Sequence, residues 1–166
     1  MKLLSTVCLM TLSLSALAGS GQAYLNHFYS ATHSARTANQ VDGVIYITNI
    51  SSDPVIVTVT LYNDQGVIIS DGDDLAAAGK LKATNAANYS DSSAYFSMKF
   101  TLAPNATSQV WVDNPSTAID YGHGLISWWN EGPEPETALI AHGVMYRSYS
   151  GNVGYYSVQV NEGKPF

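Results

Sequence analysis

One cluster of acidic residues has the composition of a metal-binding loop. Asp71, Asp73 and Asp74 stand in the run Asp-Gly-Asp-Asp, in which the glycine allows a tight turn. Calcium takes roughly six to eight oxygen ligands, and a loop of this kind can supply several of them. The run lacks the full spacing and the distal glutamate of an EF-hand, so the pattern favours a solvated acidic turn. We therefore predict no cofactor, with calcium at these three aspartates as the alternative.

Catalytic motifs are not found in the sequence. It contains no G-x-S-x-G elbow, phosphate loop or dinucleotide fingerprint, and its four histidines lack the spacing of a metal site. Cys8 lies in an N-terminal segment that we expect to be removed, which excludes a thiol nucleophile. Glu131, Glu134 and Glu136 lie in a segment whose prolines favour extended backbone and solvated carboxylates. We assign no catalytic residue, and a hydrolase with unidentified residues is the third-ranked hypothesis.

The aromatic residues indicate binding more clearly. The chain has 11 Tyr and 3 Trp, but only 12% of its residues are charged. Several of these rings share the strand phase of Ser and Thr and should face solvent, and one ring of the Trp128-Trp129 pair must face outward in a strand. Exposed Tyr and Trp often form recognition surfaces, although rings that close sheet edges are half-buried instead. The candidate ligand-binding residues are Trp111, Trp128, Trp129, Tyr46, Tyr62, Tyr95 and Tyr155.

The segments that carry these rings have the period-two pattern of β-strands. In residues 55–62, Val55, Val57, Val59 and Leu61 fall on one face and Thr58, Thr60 and Tyr62 on the other, and residues 95–102 also alternate apolar with mostly polar side chains. Residues 63–66 form a predicted hairpin turn with glycine at its last position. Further strands are predicted at residues 44–50, 67–70, 109–113, 125–130, 138–149 and 155–160, and residues 71–94 are a predicted connection with a helical turn or two near residues 75–81. Seven or eight such strands predict an all-β, antiparallel β-sandwich, Ig-like or jelly-roll-like.

The N-terminal residues have the pattern of a secretory signal peptide. Lys2 precedes a mostly apolar stretch, and Ala-Leu-Ala ending at Ala18 is a suitable cleavage site. We predict a signal peptide over residues 1–18, with cleavage after Ala23 as the alternative, and a single sandwich domain over residues 24–166. The mature chain would then contain no cysteine and rely on its core without disulfides.

Composition limits the function further. The net charge of −6 argues against nucleic acid as a partner, and no apolar run reaches the ~18 residues of a transmembrane span. The absence of mature cysteine favours a bacterial exported protein, periplasmic, extracellular or at the cell surface. We predict a structural or interaction module that binds a protein partner or self-assembles. The alternative is a carbohydrate-binding module that uses exposed Trp and Tyr rings.

Overall fold

A computed structural model describes residues 18–32, 40–69, 81–91, 97–112, 120–133, 137–149 and 152–166. These residues form ten strands and one short 3-10 turn, Asn161–Gly163. No helix in these ranges has the length and apolarity that a membrane span requires. The strands are β1 (Ala18–Thr32), β2 (Gln40–Asn49), β3 (Val55–Asn63), β4 (Leu81–Ala83), β5 (Ala87–Asp91), β6 (Ser97–Leu102), β7 (Thr107–Val112), β8 (Asp120–Pro133), β9 (Leu139–Tyr149) and β10 (Asn152–Gln159).

The strands form an antiparallel β-sandwich, as predicted. The first sheet has the strand order β1-β8-β3-β6-β5, and the second has the order β10-β9-β2-β7-β4. Strand β1 belongs to both sheets, because most of it pairs with β8 while Ala31 and Thr32 pair with the start of β2. The register of β1 against β8 shifts between Leu25 and Phe28, and such a bulge bends a strand. The bulge lies within the part of β1 that pairs with β8, and β1 passes to the second sheet after Ser30.

The predicted alternation of β3 and β6 is confirmed by burial. Both strands place apolar side chains inward, and their outward side chains are Thr, Ser or Lys apart from Ile56 and Tyr62, since successive side chains of a strand point to opposite faces. Full burial of one large apolar side chain contributes about 1.5–3 kcal/mol to folding. The buried side chains of these two strands are Val55, Val57, Val59, Leu61, Met98, Phe100 and Leu102.

The predicted turn after β3 is also present. Gly66 has a φ of 76°, and its N–H donates to the carbonyl of Asn63 at 3.0 Å. The Asn63 side chain accepts from the backbone N–H groups of Gln65 and Val67, which is the usual way an asparagine stabilises a turn. Of the returning segment, Ile68 forms an isolated bridge to β3 rather than a full strand.

Three strands were not predicted. Strands β4 and β5 lie in the predicted connection of residues 71–94. Of the predicted helical turn at residues 75–81, only Leu81 is among the described residues, and it begins β4. Strand β1 was not predicted because the spacing of its buried residues Ala23, Leu25 and Phe28 changes at the bulge, which breaks the period of two. The prediction of seven or eight strands was therefore too low.

The C-terminal residue closes the sandwich between β8 and β9. Phe166 is buried, and its backbone N–H donates to the carbonyl of Leu139 at 2.8 Å. Its carbonyl accepts from the N–H groups of Ala138 and Leu139 and from the indole N–H of Trp128. Backbone that is buried away from water needs such partners, so this segment is fixed to the core.

Candidate functional site

The three tryptophans occupy different environments. Trp128 points inward and is only 2% exposed, so it belongs to the core. Its inclusion among the candidate ligand-binding residues is therefore wrong. Trp129 points outward from β8 on the first sheet, and Trp111 points outward from β7 on the second sheet; each is 36% exposed. The alternation of a strand explains why one ring of the adjacent pair is available to a ligand and the other is not.

Trp129 lies in a row of side chains that crosses the outer face of the first sheet. Its cross-strand neighbours are Ser20 on β1 and Ile56 on β3, and Ile56 is in turn paired with Thr101 on β6. The Nζ atom of Lys99 lies 5.8 Å from the centroid of the Trp129 ring. A cation at this distance is attracted to the indole face, so Lys99 stabilises the position of the ring.

A shallow cavity opens beside this row. It has a volume of about 340 Å³, and we call it, together with the Trp129 ring, the Trp129 cleft. Glu131 follows Trp129 by two residues on β8, which places both side chains on the same face of the sheet. The cavity is lined by Asp53, Pro54, Ile56, Thr101, Asn130 and Glu131.

A buried asparagine fixes the loop that brings Asp53 to the cleft. The Nδ2 atom of Asn49 donates to the carbonyl of Asp53 at 2.8 Å and to that of Leu102 at 3.1 Å. Its Oδ1 atom accepts from the N–H and hydroxyl of Ser51 at 2.9 and 2.7 Å. Each polar atom of the Asn49 amide thus has two partners within the protein, so the connection from β2 to β3 is tied to the end of β6.

The outer face of the second sheet is rich in aromatic rings. Tyr46 on β2 stacks on His142 of β9, with ring centroids 5.1 Å apart and planes 13° apart. The histidine partly covers the tyrosine, which is half-buried rather than fully exposed. Trp111 is paired with Val44 in the next row. We call the outward side chains of β2, β7, β9 and β10 the second-sheet outer face.

On the first sheet, a second histidine covers Tyr62, which is one of the candidate ligand-binding residues. The rings of Tyr62 and His123 stack with centroids 5.1 Å and planes 7° apart, and Tyr24 lies 5.9 Å from the same histidine. Tyr62 is consequently half-buried. These stacks could not be predicted from local sequence patterns, because each joins strands that are far apart in the chain.

Strand β10 carries Tyr155, the most exposed of the candidate rings that the structure describes. Tyr155 is 71% exposed and lies 6.4 Å, between centroids, from Tyr146 on β9. The neighbouring Tyr156 points to the other face, where its hydroxyl lies 2.9 Å from Nε2 of His27 in the β1 bulge. Partial burial, and secondarily the nearby Tyr29, raise the pKa of Tyr156 above its ordinary value.

Two of the predicted sites lie outside the described residues. These are the acidic loop of Asp71, Asp73 and Asp74, and Tyr95. In the part of the chain that the structure describes, no group of three or more His, Cys, Asp or Glu side chains could hold a metal ion.

Of the cavity lining, the sequence analysis missed Asp53, Pro54 and Asn130. It also missed three outward strand residues beside Trp129: Ile56, Lys99 and Thr101. Each follows the ordinary alternation of its strand, so nothing in the local sequence distinguishes it from other outward residues. Only the pairing of β3 with both β6 and β8 brings them to Trp129. Comparison with known proteins gave no matching family model, no matching curated protein and no matching solved structure.

Proposed function

We propose that this protein is an exported interaction module that associates with a second copy of itself through the edge strand β10. The observation that carries the proposal is the difference between β10 and the other edge strands. An edge strand has backbone N–H and C=O groups without strand partners, and native proteins usually shorten, bend or charge such strands to prevent pairing. Of the edges in the described residues, β10 has none of these protections.

The other edges are interrupted or short. Strand β4 has three residues. Strand β5 is irregular between Ala87 and Ser90, and β1 is irregular between Ala18 and Ser20 and again at its bulge. Irregular pairing of this kind twists an edge away from a potential partner strand. These edges are therefore poor templates for strand addition.

Strand β10 is regular and uncharged. All eight of its residues pair in unbroken register with β9, and its sequence, NVGYYSVQ, contains no Pro, Lys, Arg, Asp or Glu. Within the described strands β9 is its one ladder partner, while the His27 contact and the Leu25–Val160 bridge lie toward its C-terminal end. Residues 152–155 therefore offer an open, uncharged edge.

The surface beside this edge is suited to the same partner. Strand β10 contains no Asp, Glu, Lys or Arg, and the cross-strand neighbours of Tyr155 and Val153 on β9 are the uncharged Tyr146 and Ser148. The chain as a whole has a net charge of −6, so two copies repel each other least where they meet at an uncharged surface. Depletion of charge and enrichment in Tyr and Trp are the usual composition of an interface core. Main-chain hydrogen bonds would provide the affinity, and Tyr155 and Tyr146 the apolar contact.

Sedimentation of the purified exported protein over a range of concentrations tests the proposal. We expect the weight-average mass to rise with concentration in the unmodified protein. Tyr155→Lys places a charge on the open edge and should keep the protein monomeric. Gln22→Lys makes the same charge change on exposed β1 and should associate like the unmodified protein. Circular dichroism would verify that both variants are folded.

A second variant distinguishes the contribution of the β10 backbone to association from that of the Tyr155 side chain. Val153→Pro leaves Tyr155 in place and removes a backbone N–H from residues 152–155 of β10, so it should weaken association as well. A monomeric mass for the unmodified protein up to millimolar concentration would overturn the proposal. Equal association by Tyr155→Lys and Gln22→Lys would overturn it too.

A further inference from the structure

We infer that the Trp129 cleft binds a neutral glycan built of β-linked hexose rings. This site lies on the first sheet, away from β10, and its argument does not depend on the proposed self-association. The inference rests on four features: the exposed face of the Trp129 indole, the polar groups near that ring, the rigidity of the loop that carries Asp53, and the negative charge of the cleft.

The indole is the apolar platform. Trp129 is 36% exposed on the outer face of a sheet, and Ile56 beside it extends the apolar surface toward the cavity. A hexose whose hydroxyls are equatorial has a flat face of C–H groups, and this face stacks on an aromatic ring in the same way as other apolar groups. Lys99 reaches the ring on a flexible chain of four carbons, so it can move aside and donate to a sugar hydroxyl.

Polar groups surround this platform at suitable spacing. Glu131 lies two residues along β8 from Trp129, a distance of about 7 Å along the strand. Thr101 lies two strands away across Ile56, about 10 Å from the row position of Trp129. Carboxylate and hydroxyl oxygens at these positions can hydrogen-bond hydroxyls at the rim of a stacked sugar ring and of its neighbour in the chain.

The cleft is a preformed site. The Asn49 hydrogen bonds hold the backbone of Asp53 next to the end of β6, so its position does not depend on a ligand. A binding group that is already in place avoids part of the entropic cost of ordering it. The cavity of about 340 Å³ is shallow, which suits one ring of a longer chain that continues along the surface.

Charge selects among glycans. Asp53 and Glu131 bring two carboxylates to the cleft, and Lys99 brings one ammonium group. Because the whole chain is also acidic, polyanionic glycans such as polyuronates are repelled. The cleft therefore favours neutral hexoses over acidic ones.

Isothermal titration calorimetry with defined oligosaccharides tests this inference. The probes are the β-1,4-linked hexamers of glucose and of N-acetylglucosamine, with an oligogalacturonate as the anionic comparison. We expect at least one neutral hexamer to bind with one site per chain and the oligogalacturonate to bind at least tenfold more weakly. Trp129→Ala should weaken binding of the neutral hexamer at least tenfold.

Trp111→Ala is the matched control. Trp111 is as exposed as Trp129 but lies on the outer face of the other sheet, so its removal should leave the affinity unchanged. Glu131→Ala should weaken binding several-fold, which tests the cleft without removing the indole, and melting curves would verify folding. The inference would be overturned if neither neutral hexamer bound at millimolar concentration, if the anionic probe bound best, or if Trp111→Ala rather than Trp129→Ala abolished binding.

Discussion

The indole N–H of Trp128 donates a hydrogen bond of 2.9 Å to the backbone carbonyl of Phe166 and so ties β8 to the last residue of the chain. The same carbonyl accepts from the N–H groups of Ala138 and Leu139. The adjacent Trp129 has its ring on the opposite face of the strand, exposed to solvent. Two neighbouring residues of one type therefore have separate roles, one in the core and one at the candidate binding site.

Trp128→Phe should destabilise the protein because it removes the N–H donor and leaves space in a packed core. Loss of a buried hydrogen bond and of part of a ring costs about 1–3 kcal/mol in the free energy of unfolding. Trp129→Phe is the control and should change this free energy by about 0.5 kcal/mol or less. Urea unfolding followed by circular dichroism measures both. Equal losses in the two variants would contradict the placement of the rings.

Gly21→Ala should destabilise the protein through the same indole. A Cβ atom at position 21 would lie 2.6 Å from Nε1 of Trp128, so the ring or the strand would have to shift. Overpacking of this kind costs about 1–3 kcal/mol. Gly154→Ala on β10 meets nothing within 4 Å and should be close to neutral. A thermal melt of each variant distinguishes them, and a smaller effect at position 21 than at position 154 would refute the packing argument.

Tyr121 should ionise at higher pH than a free tyrosine. Its hydroxyl donates a 2.7 Å hydrogen bond to Asp64, and this bond together with the carboxylate charge raises the pKa of Tyr121. Because the folded pKa is the higher one, any stabilisation is present below pH 10 and is lost as the pH rises through the folded pKa. Asp64→Asn should lower the pKa of Tyr121 in an NMR titration of its ring carbon, and an unchanged value would exclude Asp64 as the cause.

Signal cleavage should occur after Ala18 rather than after Ala23. Ser20 to Ala23 pair with β8, Ala23 is buried, and the backbone N–H of Gly19 donates to Oδ1 of Asn130 at 2.9 Å. Cleavage after Ala23 would remove this part of β1 and expose the edge of β8. Intact-mass measurement of the exported protein should therefore give Gly19 as the first residue. A mature protein that begins at Tyr24 or retains Met1 would contradict the prediction.

The sequence predicted the features that depend on local alternation. The inward residues of β3, the turn at Asn63 and the outward orientation of Trp111 each follow from a pattern within a few residues. Strand β1 could not be predicted in this way, because a bulge changes the side on which its apolar residues fall. A period-two search detects regular strands and misses those that bend between sheets.

The candidate binding site depended on pairings that no local pattern encodes. The sequence predicted that one ring of the Trp128-Trp129 pair faces outward. The neighbours of Trp129, Ile56 and Lys99, are separated from it by long stretches of chain and were not predicted. The same holds for the stacking of Tyr46 on His142, which half-buries a ring that alternation alone places in solvent. Strand order decides which outward side chains share a surface, and strand order is a property of the whole fold.

The regularity of β10 also has a consequence for the size of the assembly. Within the described strands each chain has one such open edge, and antiparallel pairing of β10 with its copy would be related by a two-fold axis and use the same strand of both molecules. If β10 pairs in this way, the other edges among the described residues are short or irregular, and growth would stop at two chains. A filament would require a second regular edge on each molecule, so the assembly that this fold supports has a fixed stoichiometry rather than an open length.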